Sequence, residues 1–137
     1  MGIEIEYQRA LYTLLEANKA SLGLTGIYDF APQAADGGSD APFPYATIGT
    51  IFAVQMDTQT VEGFEMTGRI HVYSRSGSMA ECKTIQGNLY SFLHRQPLTV
   101  AGFNNFFLMR NDTDCLQDED GKIHGVCEYR GLVEKAA

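Results

Sequence analysis

The sequence has no tryptophan, four prolines and three cysteines in 137 residues, and ten basic side chains against seventeen acidic ones. Each scarcity excludes something. Three cysteines without a C-x-x-C pair give neither a disulfide framework nor a zinc ribbon, and no two of His71, His94 and His124 have the spacing of a zinc site. A net charge of −7 argues against nucleic-acid binding through a basic patch, because affinity for phosphates comes mostly from Lys and Arg, although the sign alone decides little. The same charge fits ordinary solubility and would also suit a surface that repels DNA. No apolar run approaches the ~20 residues needed to cross a bilayer. Met1-Gly2-Ile3-Glu4 lacks the basic and apolar regions of a signal peptide, and Glu6 stands where a myristoylation motif wants Ser or Thr. The expectation is a chain made and kept in a cytoplasm, with its cysteines free and buried. Cys115 and Cys127 flank a predicted hairpin and are candidates for a bridge, which a reducing compartment disfavours.

What is present is an ordinary globular composition, 45% hydrophobic and 20% charged. A chain of this length suits one domain over residues 1–137, burying roughly two-thirds of its unfolded surface. The organising stretch is Phe64–Leu93. Phe64, Met66, Gly68, Ile70, Val72 and Ser74 alternate with Glu65, Thr67, Arg69, His71, Tyr73 and Arg75, as a half-buried strand requires. Ser76-Gly77 breaks the strand. Ser78 with Glu81 predicts a capping box, and Met79, Cys82, Ile85, Leu89, Phe92 and Leu93 recur at helical spacing until Pro97 forbids continuation. Gly87 inside this helix costs about 1 kcal/mol against Ala, and close packing against the sheet or a partner is the expected reason for it.

Before this unit, Ile3–Lys19 reads as a helix with Ile3, Tyr7, Leu11, Leu14 and Leu15 on one face. Leu22 and Leu24, around Gly23, are expected to tuck under its end, and Ile27-Tyr28-Asp29 forms a short extended piece. Asp29–Pro44 has no period of either kind, and a loop of about sixteen residues is longer than compact domains keep without a use. It is either a mobile excursion or an arm that orders against a neighbouring subunit. Tyr45–Val54 is the next strand, with Ala46, Ile48, Phe52 and Val54 expected in the core and Gly49 outward. Polar Gln55–Gly63 forms a projecting tip. After Leu98–Ala101, Phe106–Leu116 and Ile123–Val133 make a terminal hairpin, with Asp120-Gly121 as its turn. The predicted fold class is α+β: a mostly antiparallel sheet of four to five strands with two helices packed on one face.

Tests for chemistry return little. The acidic run Asp112, Asp114, Asp118, Glu119 and Asp120 fails the spacing of an EF-hand loop, and a solvated hairpin tip explains it. There is no G-x-S-x-G elbow and no phosphate loop. His71, between Arg69 and Tyr73, is the one grouping that resembles a catalytic site, although a half-exposed His among polar groups is ordinary. His94 is explained by a helix C-terminus. The polar strand face of Arg69, His71, Tyr73 and Arg75 is either solvated or a subunit interface, where Tyr and Arg are favoured over Lys.

The whole pattern resembles the tail terminator or tail-completion proteins of long-tailed (siphovirus-like) phages and gene transfer agents. The matching pieces come in order: the helix at Tyr7-Gln8-Arg9-Ala10-Leu11-Tyr12; Ile27-Tyr28-Asp29 leading to Pro32; Pro44-Tyr45-Ala46-Thr47-Ile48-Gly49 opening a long strand; His71-Val72-Tyr73-Ser74-Arg75 running into a helix; and Asp120-Gly121-Lys122-Ile123-His124-Gly125 before a strand ending in Glu128-Tyr129-Arg130. The Asp36–Asp40 insertion departs from the family pattern.

The resemblance implies a non-enzymatic virion protein without a cofactor. It would form a ring, usually of six copies, that seats on the tail tube protein, stops its polymerisation and presents the head-joining surface to a neck or head-closure protein. DNA would pass through without specific binding, and no membrane is involved. A neck connector ring, or a small enzyme or ligand-binding domain using the His71 face, are the rival readings. If the work is contact, the candidate interface residues are Pro32, Asp36 and Phe43 of the long loop, Asp57 and Glu62 of the tip, and Arg69, Tyr73 and Arg75 of the sheet face.

Overall fold

A computed structural model describes residues 2–29, 42–105, 107–117 and 121–136. The elements in chain order are α1 (Ile3–Leu22), β1 (Ile27–Tyr28), β2 (Tyr45–Gln55), β3 (Gly63–Ser74), α2 (Ala80–Leu93), β4 (Phe103–Asn105), β5 (Met109–Gln117) and β6 (Ile123–Lys135). They build one six-stranded sheet in the order β1-β2-β3-β6-β4, with β5 also on β6. Among the described residues β1 alone pairs in parallel, and the other pairings are antiparallel. The α+β expectation holds, with one more strand than the four to five predicted. The C-terminal half of β6 takes the three-residue β4 and its N-terminal half takes β5.

Both helices cover the same sheet face. Tyr7 and Leu11 of α1 lie over Gly68 of β3, and Cys82 and Gln86 of α2 lie over Gly125 of β6. A β-carbon on Gly125 would sit 2.6 Å from Cys82 Sγ, so this glycine lets the helix close on the sheet. Gln86, buried there, donates from Nε2 to the Asp114 carbonyl and ties α2 to β5. The core between the layers takes Leu11 and Leu15 from α1, Met66, Ile70 and Val72 from β3, Ile85, Leu89 and Leu93 from α2, and Cys127, Tyr129 and Val133 from β6. Helix α1 runs to Leu22, three residues past the expected end at Lys19, and stops at left-handed Gly23, where Leu24 N–H donates to the Lys19 carbonyl; Leu22 and Leu24 are buried as expected.

Several local expectations are corrected. In β2 a bulge between Ile48 and Ile51 sets Gly49 and Thr50 opposite Arg69. The faces therefore exchange beyond it: Ile51 and Ala53 pack on the core, while Phe52 and Val54, expected inside, are exposed. The capping box at α2 does not form. Ser78 Oγ accepts from Ala80 N–H, and the Glu81 carboxylate accepts from the hydroxyl of fully buried Ser74 instead. Gly87 faces outward with nothing within 4 Å of a β-carbon, so packing against the sheet does not account for it. His94 is the C-cap of α2, as expected, and is also held by accepting the Arg110 N–H at Nδ1 and by stacking on Tyr90. The cysteines are free thiols. Burial and the neighbouring Cys115 thiol push Cys82 up to about 12.

Candidate interaction surface

The sheet face opposite the helices carries Tyr45, Thr47, Phe52 and Val54 of β2, Glu65 to Tyr73 of β3 at every second residue, His124 to Glu134 of β6 likewise, and Met109, Asp112, Asp114 and Leu116 of β5. These side chains sort into three zones along the strands.

At one end is an aromatic stack set by register, since Tyr45 pairs with Tyr73 and Tyr73 with His124. The rings of Tyr45 and Tyr73 lie 5.0 Å apart and those of Tyr73 and His124 4.6 Å apart. His71 joins at 5.0 Å from His124, with its Nδ1 2.8 Å from His124 Nε2. One nitrogen of that contact must donate and the other accept, so the pair is held with an unprotonated acceptor. Burial first, then His124 and Arg69, hold His71 below the ordinary histidine value. Gly49 lies at the bulge where any side chain would collide with the His71 ring. Phe43 leans on Tyr45 at 5.1 Å and receives the Arg75 guanidinium over its face, while the Lys122 ammonium lies over Tyr73. Tyr45 is thereby buried on a face that no helix covers.

The middle zone is charged. Arg69 donates to Glu128 at 3.1 Å and Asn111 donates to it at 2.7 Å, and these bonds hold the Glu128 carboxyl below its usual range. Asp112, Asp114 and Val126 complete a shallow hollow with this pair.

The far end is apolar and exposed. Phe52, Val54, Met56, Phe107, Met109 and Leu132 are each between 42% and 58% exposed. Phe107, Met109 and Leu132 line a cleft of about 350 Å³ with Glu65, Arg130 and Gly131. It sits where the partner of β6 changes from β4 to β5.

The candidate interface residues fall into different places. Phe43, Tyr73 and Arg75 belong to the aromatic end and Arg69 to the charged middle. Asp57 and Glu62 sit at the β2–β3 tip: Asp57 Oδ1 accepts from Gly63 N–H and the Gln55 amide, and Glu62 pairs with Lys135 at 3.6 Å. Asp57 thus shapes the turn. Pro32 and Asp36 lie outside the described residues. The apolar zone was missing from the sequence reading. Leu132, between Arg130 and Glu134 on the polar side of β6, was the one available signal, because the bulge hides Phe52 and Val54.

His71 has another histidine as its close partner, on a face built of packed rings. Among the described residues no group of three His, Cys, Asp or Glu is placed to hold a metal ion. No helix among them is long and apolar enough to cross a membrane.

Comparison with known proteins gives the family. No curated protein matches the chain. A solved structure described as the virion of a native gene transfer agent particle matches with a TM-score of 0.78 at 20% identity, over 93% of this chain and 93% of that one. That likeness shows the fold. A family model described as tail completion protein gp17 matches residues 9–134. The chain therefore belongs to the tail completion protein gp17 family and is a non-enzymatic structural protein of the phage-type virion tail, which removes the enzyme reading of His71.

Proposed function

We propose that this protein is a tail terminator: copies of it close into a ring on the last ring of the tail tube, stop further polymerisation and offer the surface on which the filled head joins. The observation that carries this reading is the exposed apolar end of the open sheet face. Phe107, Met109 and Leu132 line one exposed apolar cleft, and Phe52 and Val54 are exposed on the same face across Glu65 and Thr67 of β3; exposed apolar surface of this kind marks a contact with a partner. The partners are further copies of the chain, the tail tube protein and a neck or head-closure protein. A ring follows when two different surfaces of one subunit meet and the rotation closes. The net charge of −7 suits a channel through which DNA moves without being held.

Electron microscopy of particles carrying the labelled protein tests it. A ring at the head-proximal end of the tail is expected, and deletion of the gene should leave unjoined heads with tails of uncontrolled length. Label at the distal tip, or normal particles after deletion, would overturn the reading. Label on the head side of the joint, with tail length unchanged on deletion, would favour a neck connector instead.

A further inference from the structure

We propose that copies of this chain join edge to edge, the outer edge of β5 in one copy pairing antiparallel with the free edge of β2 in the next. The proposal rests on the assembly reading above and specifies its interface. Strand β1 pairs only with Ala46 and Thr47, so Ile48–Gln55 has no partner on that side among the described residues. On the opposite side of the sheet, β5 pairs only with β6 among the described residues, and Met109, Asn111, Asp112, Thr113, Asp114, Leu116 and Gln117 are exposed. The Asp112 and Asp114 carboxylates accept from the Thr113 and Cys115 N–H groups and would have to release them. Long unpaired edges are templates for another strand, and proteins blunt them with Lys or Pro. Strand β2 has neither, and no charge in eleven residues.

Three features match the two edges to each other. Direction is the first. Strands β2, β3, β6 and β5 alternate in sense, so a second copy laid beside the first in the same orientation continues the sheet antiparallel. The second is shape. The β2 bulge lies opposite Arg69 and the β5 bulge lies next to Glu128, and Arg69 pairs with Glu128. Both edges therefore bend at the same level, and a bulge increases local twist, so the bent edges can follow one another. Charge is the third. Asp112 and Asp114 on β5 would face like charges if β5 paired with itself, which is destabilising across strands. Against β2, Asp112 comes level with Gly49 and Thr50 and Met109 with Phe52, while Asp114 comes level with Thr47, where β1 already lies, so the pairing runs along Ile48–Gln55. Joining two different edges is the heterologous arrangement that closes into rings.

Phe52→Cys and Met109→Cys, made singly and together, test this with a short bis-maleimide cross-linker. The probe is applied to concentrated protein and to tails assembled with the variants. Directly opposed residues on paired strands have β-carbons about 5 Å apart, within its reach. Both side chains are more than 40% exposed, so folding should survive, as a melting curve will show. Cys82 and Cys127 are buried and Cys115 is half-buried, so the wild type gives the background. The double variant should give a ladder of trimers and larger species that neither single variant shows. Dimers from Phe52→Cys alone, as abundant as the ladder, would mean β2 pairing with β2 and would overturn the proposal. Oligomers seen by sedimentation, or rings on tails, without a ladder would overturn edge pairing and leave the assembly reading standing. Monomer in every sample, without a ladder, would overturn both.

Discussion

Ile48 and Ile51 both face the helices although two residues separate them, a spacing at which simple alternation puts side chains on opposite faces. Between them Gly49 and Thr50 share one opposing residue, Arg69, and from that point every β2 side chain exchanges faces relative to simple alternation. The stability of neighbouring variants reads this out. Ile51→Ala should cost about 2 kcal/mol, the low end for a large-to-small change because the site is half-buried. Phe52→Thr should stay within roughly 0.5 kcal/mol, as exposed positions do. Urea unfolding of both variants is the measurement. A costly Phe52→Thr beside a neutral Ile51→Ala would contradict the bulge.

The bulge also marks how far the sequence could be read. Strand β3 was legible residue by residue because its apolar positions alternate without interruption from Phe64 to Ser74, and β6 for the same reason from Cys127 to Val133. In β2 the run Ile51-Phe52-Ala53-Val54 is apolar on both faces, so period alone cannot choose a face. The capping box failed because local pattern cannot know that buried Ser74 lies within reach of Glu81. The aromatic stack was partly visible as His71 and Tyr73, but Tyr45 and His124 reach it through register, which depends on strands far apart in sequence. Split pairing of β6 with β4 and β5 is likewise a tertiary fact.

The His71–His124 contact predicts a pH dependence. Folding holds His71 below its ordinary value of 6.5, so the unfolded chain binds this proton more readily. Its contribution to stability is complete above pH 6.5 and is lost as pH falls toward the lowered folded value. Around it stand His124, Arg69, Tyr73 and, over Tyr73, Lys122, so a second positive charge is poorly accommodated. The melting temperature should fall as the buffer is taken from pH 7.5 to 5.5, and His71→Gln should flatten that fall. An equal slope in both proteins would place the titration elsewhere.

The two glycines that meet α2 predict opposite outcomes. Gly87 is on the outer surface of the helix with open space around it, so Gly87→Ala should stabilise the chain by about 0.5–1 kcal/mol through helix propensity. Gly125 lies under Cys82 and Gln86, so Gly125→Ala must push α2 outward and should cost on the order of 1–3 kcal/mol. Thermal unfolding of the two variants checks both signs. Should Gly87→Ala stabilise the isolated chain yet block tail completion, the bare helix surface is a contact that needs its missing side chain.

Buried phenols give the last prediction. Tyr7 and Tyr129 are each 1% exposed, and neither hydroxyl has a hydrogen-bond partner among the described residues. Burial raises both well above the usual tyrosine value, so neither ionises in the working pH range. A β-carbon on Gly131 would lie 3.3 Å from the Tyr7 hydroxyl, which leaves that group tightly enclosed between α1 and β6. A buried hydroxyl that has given up water without a replacement bond carries a penalty of about 1–3 kcal/mol. Tyr7→Phe and Tyr129→Phe remove that penalty while keeping the ring, so each should raise stability by about 1 kcal/mol in urea titrations. A loss of similar size would instead mean that the hydroxyl holds an internal water shared with the backbone, which crystallographic density at that position would then display.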